Sequence, residues 1–305
     1  MKFGVSLIMR GKDSTPEAFF ALAQQAERLN YDSLWCSDHI FFPKLRQSYP
    51  NTPHGGLPPA WRERYWDCFT VMNQVAARTQ RIAIGSSVLI LPMHHPIETA
   101  KQAATLDHFS KGRFIFGVGV GWLKEEFDAL NWPFNQRGAR TDEGLEICRK
   151  LWTEESASHQ GRFYTFEEAS CFPKPMQKPY PPIWVGGHSA SALKRVARFG
   201  DVWHPFRATP VLLTEKLPEL KRALAEAGRK PESVGLAPKL TVGFQDSAPQ
   251  KGQDLTEGRP QDILDAVRRY RDLGCTDLVM DYKPETPETA RVMLDRFANE
   301  VRAKL

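Results

Sequence analysis

Residues 82–122 constrain the fold of this chain more strongly than any other stretch. They begin with the β-branched run IAIGSSVLIL (82–91), which is typical of a buried strand. Helical spacing starts at Pro96 and places Ile97, Ala100 and Ala104 on one face. A second buried run, FIFGVGVGW (114–122), then ends in glycines. A strand, a crossover helix and a second strand predict a βαβ unit of a parallel sheet.

The same alternation continues on both sides of this unit. Strand patterns cover residues 2–9, 33–40, 82–91, 114–122, 182–187, 202–205, 234–244 and 275–281. Amphipathic helical patterns separate most of them. Eight strands with matching helices predict an α/β fold, a single (β/α)8 TIM barrel. We expect one domain over residues 1–305, with insertions around residues 41–62, 153–182 and 245–258.

Composition narrows the class of protein. The chain has 305 residues, 41% of them hydrophobic and 25% charged, which is typical of a globular protein. No apolar run approaches the roughly 20 residues of a membrane span, and the N-terminal apolar run is too short for a signal peptide. Five scattered cysteines without a C-x-x-C pair suggest neither a disulfide framework nor a zinc site. We therefore expect a cytoplasmic protein that binds no membrane and no metal.

The net charge of +5 is distributed along the chain, with basic and acidic residues interleaved. No basic tail or block marks a nucleic-acid surface, so we expect no nucleic-acid partner. A solvated basic surface accounts for this charge. Attraction of an anionic ligand, such as a phosphate-bearing cofactor, is the alternative.

Asp38 and His39 form the clearest catalytic signal, because they follow the second predicted strand. Barrels keep their active sites at the carboxyl ends of their strands. A histidine can donate or accept a proton near neutral pH, and a neighbouring carboxylate can bias its tautomer. A solvated surface histidine is the other interpretation of His39.

The segment Gly186-Gly187-His188-Ser189 precedes a predicted helix. Free backbone N–H groups and small residues at a helix N-terminus suit a phosphate group. A glycine pair before a helix is also ordinary turn chemistry, so the residues alone leave both interpretations open.

The amino-acid sequence of one segment resembles that of a known family. LPMHHPIETAKQAATLDHFSKGRFIFGVGVGW (91–122) closely resembles the centre of the luciferase-like monooxygenase superfamily, and the resemblance extends over nearly the whole chain. That superfamily holds flavin-dependent monooxygenases and oxidoreductases that use the deazaflavin coenzyme F420, all on TIM barrels. Its deazaflavin-dependent members have the pattern that Trp35, Ser37, Asp38 and His39 match here. The bacterial luciferases have a Glu-His-His version instead.

The resemblance implies an F420-dependent oxidoreductase that transfers a hydride between the deazaflavin and a small organic substrate. His39 would be the proton donor or acceptor beside the reactive ring edge, and Asp38 would contact the deazaflavin. A non-proline cis peptide within residues 86–88 would support the ring. The implied cofactor-binding residues are Asp38, Ser86, Ser87, Val88, Gly117, Gly119, Gly186, Gly187, His188 and Ser189.

Two other functions remain open. An FMN-dependent monooxygenase would activate O2 on the same scaffold, and a non-catalytic flavin-binding protein would need the phosphate loop but not His39. Homodimers are frequent in the resembled family, and we expect one here. The sequence does not identify the substrate.

Overall fold

The computed structural model describes residues 1–43, 63–247, 256–283 and 286–305. Within these ranges most of the strands belong to one sheet. The strands are β1 (Lys2–Ser6), β2 (Ser33–Cys36), β3 (Ala83–Ser86), β4 (Leu89–Ile90), β5 (Phe114–Gly119), β6 (Ala157–Gln160), β7 (Thr165–Ala169), β8 (Ile183–Gly186), β9 (Val202–His204), β10 (Gly235–Leu236), β11 (Lys239–Phe244), β12 (Glu257–Gly258) and β13 (Asp277–Tyr282).

The main sheet is parallel and curls into a barrel. Its order is β10-β9-β8-β5-β3-β2-β1-β13-β11-β12, with β4 paired to β5. The barrel closes between β9 and β11. A parallel bridge joins Phe206, which follows β9, to Lys239, the first residue of β11. The short strand β10 pairs with β9 and is separated from β11 only by Ala237 and Pro238. The predicted (β/α)8 TIM barrel is confirmed.

Helices cover the outside of the barrel. They are α1 (Pro16–Arg28), α2 (Cys68–Ala76), α3 (Pro96–Phe109), α4 (Lys124–Ala129), α5 (Arg137–Thr153), α6 (Ala190–Phe199), α7 (Pro210–Glu226), α8 (Pro260–Asp272) and α9 (Pro287–Arg296). Short 3-10 turns occupy Leu91–Met93, Phe134–Gln136, Pro231–Ser233 and Arg302–Lys304, and a π-helical turn occupies Phe297–Val301.

The helix starts follow local chemistry. Thr15 caps α1, and its hydroxyl oxygen accepts a hydrogen bond from the N–H of Ala18 at 3.2 Å. Pro16 follows at the first helical position, where its missing N–H costs nothing. The predicted start of α3 at Pro96 is likewise confirmed, although its cap residue, His95, makes no side-chain capping bond.

Two of the predicted strands are interrupted. The strand predicted over residues 82–91 divides into β3 and β4, and the peptide bond between Ser87 and Val88 is cis, as the resemblance implied. The strand predicted over residues 234–244 divides into β10 and β11 at Pro238, which has no N–H to donate to a neighbouring strand. The residues at these interruptions remain buried, with Ser87 8% and Ala237 0% exposed.

The three predicted insertions differ in how far they are described. Residues 153–182 contain an antiparallel hairpin of β6 and β7, outside the barrel sheet. Most of the insertion predicted at 41–62, and residues 248–255 of the one at 245–258, lie outside the described residues.

Aromatic side chains fill the interior of the barrel. Trp35 is fully buried, and its ring centroid lies 4.5 Å from that of Trp184. Gly85 makes room for it, because a Cβ at this position would lie 2.4 Å from Trp35 Cζ3. Side chains therefore fill the centre of the barrel, and barrels of this kind bind their ligands at the ends of the strands.

Candidate active site

A cavity of about 570 Å³ opens at the carboxyl ends of the barrel strands. Its walls come from loops that follow several different strands, as in barrels whose active sites lie on this face. Eight of the predicted site residues line it: Asp38, His39, Ser87, Val88, Gly119, Gly186, Gly187 and Ser189. Most of the predicted site residues therefore lie at one cavity.

Ser86 and Gly117 are predicted cofactor-binding residues that do not line the cavity, because they join β3 to β5. The Ser86 hydroxyl donates to the carbonyl oxygen of Gly117 at 2.7 Å and accepts from its N–H at 3.1 Å. A Cβ on Gly117 would lie 1.8 Å from the carbonyl oxygen of Ser86. The glycine is needed for this close approach of two strands. His188 is the third predicted cofactor-binding residue that does not line the cavity, and its side chain is exposed.

His39 is held by a carboxylate that is distant in sequence. Its Nδ1 lies 2.7 Å from Oε2 of Glu126, which is fully buried in α4. The other carboxylate oxygen accepts the backbone N–H of Ile40 at 2.8 Å and that of Phe41 at 3.3 Å. The rings of Phe42, Tyr65 and Trp122 surround His39. Since Nδ1 is engaged, Nε2 is the ring nitrogen left for chemistry in the cavity.

The carboxylate of Asp38 does not have the expected partner. Its Oδ2 accepts the backbone N–H of Ile90 at 2.9 Å and lies 2.8 Å from Nε2 of His94. The expectation that Asp38 biases the tautomer of His39 is wrong, because Glu126 fills that position. Burial lowers the pKa of His94, but the hydrogen bond and negative charge of Asp38 outweigh it, so the pKa is raised.

The far end of the cavity suits an anion. Gly187 has φ +93°, which favours glycine, and leads into α6, whose cap Ser189 accepts from the N–H of Ala192 at 3.2 Å. Ser191 and Arg137 also line this end. The Nε atom of Arg137 is buried and has no hydrogen-bond partner among the described residues. A helix N-terminus beside an arginine with a spare donor fits a phosphate.

The opposite wall carries an ion pair that sequence reasoning missed. Nζ of Lys239, at the start of β11, lies 3.3 Å from Oδ1 of Asp281 in β13, and both side chains line the cavity. Burial raises the pKa of Asp281, but the positive charges of Lys239 and Arg10 and the hydrogen bonds to Ser6 and Lys239 together outweigh it, so the pKa lies below its usual range.

Sequence reasoning also missed Glu126, His94 and His204 as site residues. Glu126 lies in α4 and His94 in the segment before α3, and neither stands next to its partner in the sequence. The available signal was position, because His204 is the last residue of β9, and His94 and Glu126 follow the carboxyl ends of β4 and β5. Their partners lie 87, 56 and 117 positions away in the chain, so no local pattern could reveal the pairs.

Two structural features are absent from the described residues. They contain no helix long and apolar enough to cross a membrane. They also contain no group of three or more His, Cys, Asp or Glu side chains arranged to hold a metal ion.

Comparison with known proteins gives the family. The model of the luciferase-like monooxygenase family matches residues 1–250. An F420-dependent glucose-6-phosphate dehydrogenase of Nakamurella multipartita is 30% identical over 244 residues, which are 78% of this chain and 67% of that protein.

Solved structures share the fold. A monooxygenase from Streptomyces bottropensis superimposes with a TM-score of 0.79 at 23% identity, covering 100% of this chain and 99% of the other. An F420-dependent secondary alcohol dehydrogenase, solved with an F420-acetone adduct, superimposes with a TM-score of 0.81 at 17% identity, covering 99% of this chain and 98% of the other. At these identities the likeness concerns the fold alone. From the family match and the barrel, the chain belongs to the luciferase-like monooxygenase family, whose members are F420- or flavin-dependent oxidoreductases.

Proposed function

We propose that this protein is an F420-dependent oxidoreductase that moves a hydride between the deazaflavin and a small organic substrate, with His39 as proton donor or acceptor. The observation that carries the proposal is the pairing of His39 with Glu126 at a cavity whose other end suits a phosphate. The coarser statement, an oxidoreductase of this family, stands on the family match.

His39 has the geometry that proton transfer requires. The Nδ1–H group of His39 donates a hydrogen bond to Glu126. This bond orients the ring and leaves Nε2 to exchange a proton with the substrate. The rings of Phe42, Tyr65 and Trp122 pack around the imidazole and help to fix its orientation. In one direction Nε2 gives its proton to a developing alkoxide or carbanion; in the other it accepts the proton of a hydroxyl group.

The residues present fit a phosphate-bearing cofactor. The N-terminus of α6, Gly187, Ser191 and the buried Nε of Arg137 would hold its phosphate. Asp38 would contact the ring from a position fixed by His94 and the N–H of Ile90. F420 supplies hydride transfer when it is bound, whereas reduced FMN would supply O2 activation.

The choice of F420 rests on two supports. Trp35, Ser37, Asp38 and His39 match the pattern of the deazaflavin-dependent branch. A relative that is 30% identical over most of this chain bears the name of an F420-dependent dehydrogenase. An FMN-dependent monooxygenase is the second candidate, since a structure with the same fold bears the name of a monooxygenase. The predicted homodimer remains a prediction.

The proposal is tested by comparing turnover with and without oxygen. Reduced F420 and the full-length protein would be mixed anaerobically with a panel of ketones, aldehydes and activated alkenes, and F420 oxidation followed by absorbance. We expect substrate-dependent oxidation that is unchanged by air. Turnover that requires both FMN and O2 would contradict the proposal and favour the monooxygenase. A protein that binds F420 but turns over none of the panel at any pH would favour the non-catalytic alternative.

A further inference from the structure

A short hydrogen-bonded chain connects the cavity wall to the barrel interior. Ser87 is 8% exposed and lines the cavity, and its Oγ lies 2.8 Å from Nε2 of His204. Nδ1 of His204 lies 2.5 Å from the carbonyl oxygen of Ala237. The imidazole also stacks on Trp35, with ring centroids 5.3 Å apart and planes at 24°. The position of His204 is therefore fixed on both edges and on one face.

The protons of this chain can be assigned from its partners. A carbonyl oxygen only accepts, so Nδ1 of His204 carries a proton. Burial lowers the pKa of His204 to about 4, and the positive charge of Lys239 acts in the same direction, against the Ala237 carbonyl and Asp281. The ring is neutral at physiological pH, and Nε2 has a lone pair instead of a second proton. The Ser87 hydroxyl must therefore donate to Nε2.

The single proton of Ser87 is then used, and its oxygen can only accept from the cavity. We propose that Ser87 is a specificity-determining residue: a hydrogen-bond acceptor, fixed by His204, that selects a ligand whose facing edge carries an N–H or O–H. A ligand that presents a carbonyl or carboxylate oxygen at this wall is disfavoured, because two acceptors would then face each other.

The chemistry of the proposed cofactors is compatible with this selection. Flavins and deazaflavins share an imide N–H between two carbonyl groups, and it is a donor of the required kind. This part of the inference rests on the proposed function. The polarity of Ser87 does not, because it follows from His204 and Ala237 alone.

The polarity is tested on the full-length protein without ligand. The protein would be labelled with 15N-histidine, and His204→Gln would identify the His204 signals. We expect a neutral ring protonated at Nδ1 at pH 7, and the same form at pH 6. A charged ring, or a neutral ring protonated at Nε2, would overturn the inference.

The selection is tested by titration with FMN and with 3-methyl-FMN, in which a methyl group replaces the imide proton. The wild type should bind FMN about five- to tenfold more tightly than the methylated analogue. Ser87→Thr keeps the hydroxyl and should keep this preference, whereas Ser87→Ala should bind the two flavins equally. Equal binding by the wild type, or a preference that persists in Ser87→Ala, would contradict the selection of an imide donor.

His204→Phe separates the fixed acceptor from a merely structural contact. A phenyl ring preserves the stacking on Trp35 but releases the Ser87 proton, so the preference for FMN should fall while the fold persists. If the wild type binds neither flavin nor F420, the proposed function fails and the imide part of the inference fails with it. The NMR measurement decides the polarity of Ser87 in either case.

Discussion

Nδ1 of His39 lies 2.7 Å from Oε2 of Glu126, although the two residues are 87 positions apart in the chain. The loop after β2 supplies the histidine and α4, after β5, supplies the carboxylate. Because Glu126 also binds the N–H groups of Ile40 and Phe41, it holds both the ring and the backbone around it. Orientation of the imidazole therefore depends on α4, which carries none of the residues predicted to be catalytic.

Glu126→Gln should lower turnover by about tenfold or more while leaving the affinity for the cofactor nearly unchanged. The amide presents either an oxygen or an NH2 group, so it cannot satisfy His39 and both backbone N–H groups as a carboxylate does. Steady-state kinetics would separate kcat from KM. Asp128→Asn is the matched control on the same helix, since Asp128 pairs with Lys124 at the surface. Equal losses in the two variants would contradict the positioning role.

His39→Ala should lower turnover by about a hundredfold or more, because general acid–base catalysis contributes about that much. The affinity for the cofactor should stay within the same range, which a fluorescence titration would check. His108→Gln is the control, since His108 is exposed in the last turn of α3, outside the cavity lining. Unchanged turnover in His39→Ala would refute the proposed role of this histidine.

Gly117→Ala should destabilise the fold by about 3 kcal/mol or more, because the new Cβ would meet the carbonyl oxygen of Ser86 and force β3 and β5 apart. Gly138→Ala in α5 is the control, since its Cβ would be 3.5 Å from the nearest atom, an ordinary contact. Denaturant unfolding of both variants measures the difference. A Gly117→Ala variant as stable as the control would show that β3 and β5 are not packed as described.

Stability should fall on acidification because of His204. Its pKa is about 4 in the folded state and about 6.5 in an unfolded chain, so between these values the unfolded chain binds a proton that the folded protein does not. Folding stability is therefore lost as the pH falls from about 6.5 to about 4, by up to about 3 kcal/mol from this group. His204→Gln should flatten this part of the pH profile of unfolding.

His94 makes a contribution of opposite sign to the pH dependence of folding stability, in a different pH range. Its pKa is raised by Asp38, so its contribution is complete below the unfolded value and is lost as the pH rises through the folded one. His94→Gln should therefore change the pH profile of unfolding on the alkaline side of pH 6.5 and leave the acid side as in the wild type.

The His204 prediction has its own contradicting outcome. If His204→Gln leaves the acid slope of the pH profile unaltered, His204 is not neutral and buried as described.

The sequence predicted the barrel and the position of its cavity because both depend on local patterns. Alternating strand and helix periods determine the fold, and residues that follow strand ends, such as Asp38, Ser87 and Gly187, meet at one face. The partners of these residues were not predictable in the same way. Asp38 binds His94 instead of biasing His39, and Ser87 binds His204, because side-chain pairing depends on distances between strands that no local pattern contains.

Ser86 and Gly117, two predicted site residues that do not line the cavity, share a physical reason. Ser86 is the last residue of β3, before Ser87 and Val88, and Gly117 lies two residues before Gly119 in β5; residues along a strand alternate between its two faces or lie deeper in the barrel. A short strand therefore presents only some of its residues to a ligand, and the choice depends on register.

The most direct test of the central claim is a paired titration of the purified full-length protein with F420 and with FMN, followed by fluorescence. The account predicts saturable binding of F420, with binding of FMN weaker by about a hundredfold or more, a difference of about 3 kcal/mol. Arg137→Leu should weaken the binding of F420, because the phosphate would lose a charged donor. Tight binding of FMN without binding of F420 would contradict the account and make an oxygen-dependent reaction the function to pursue.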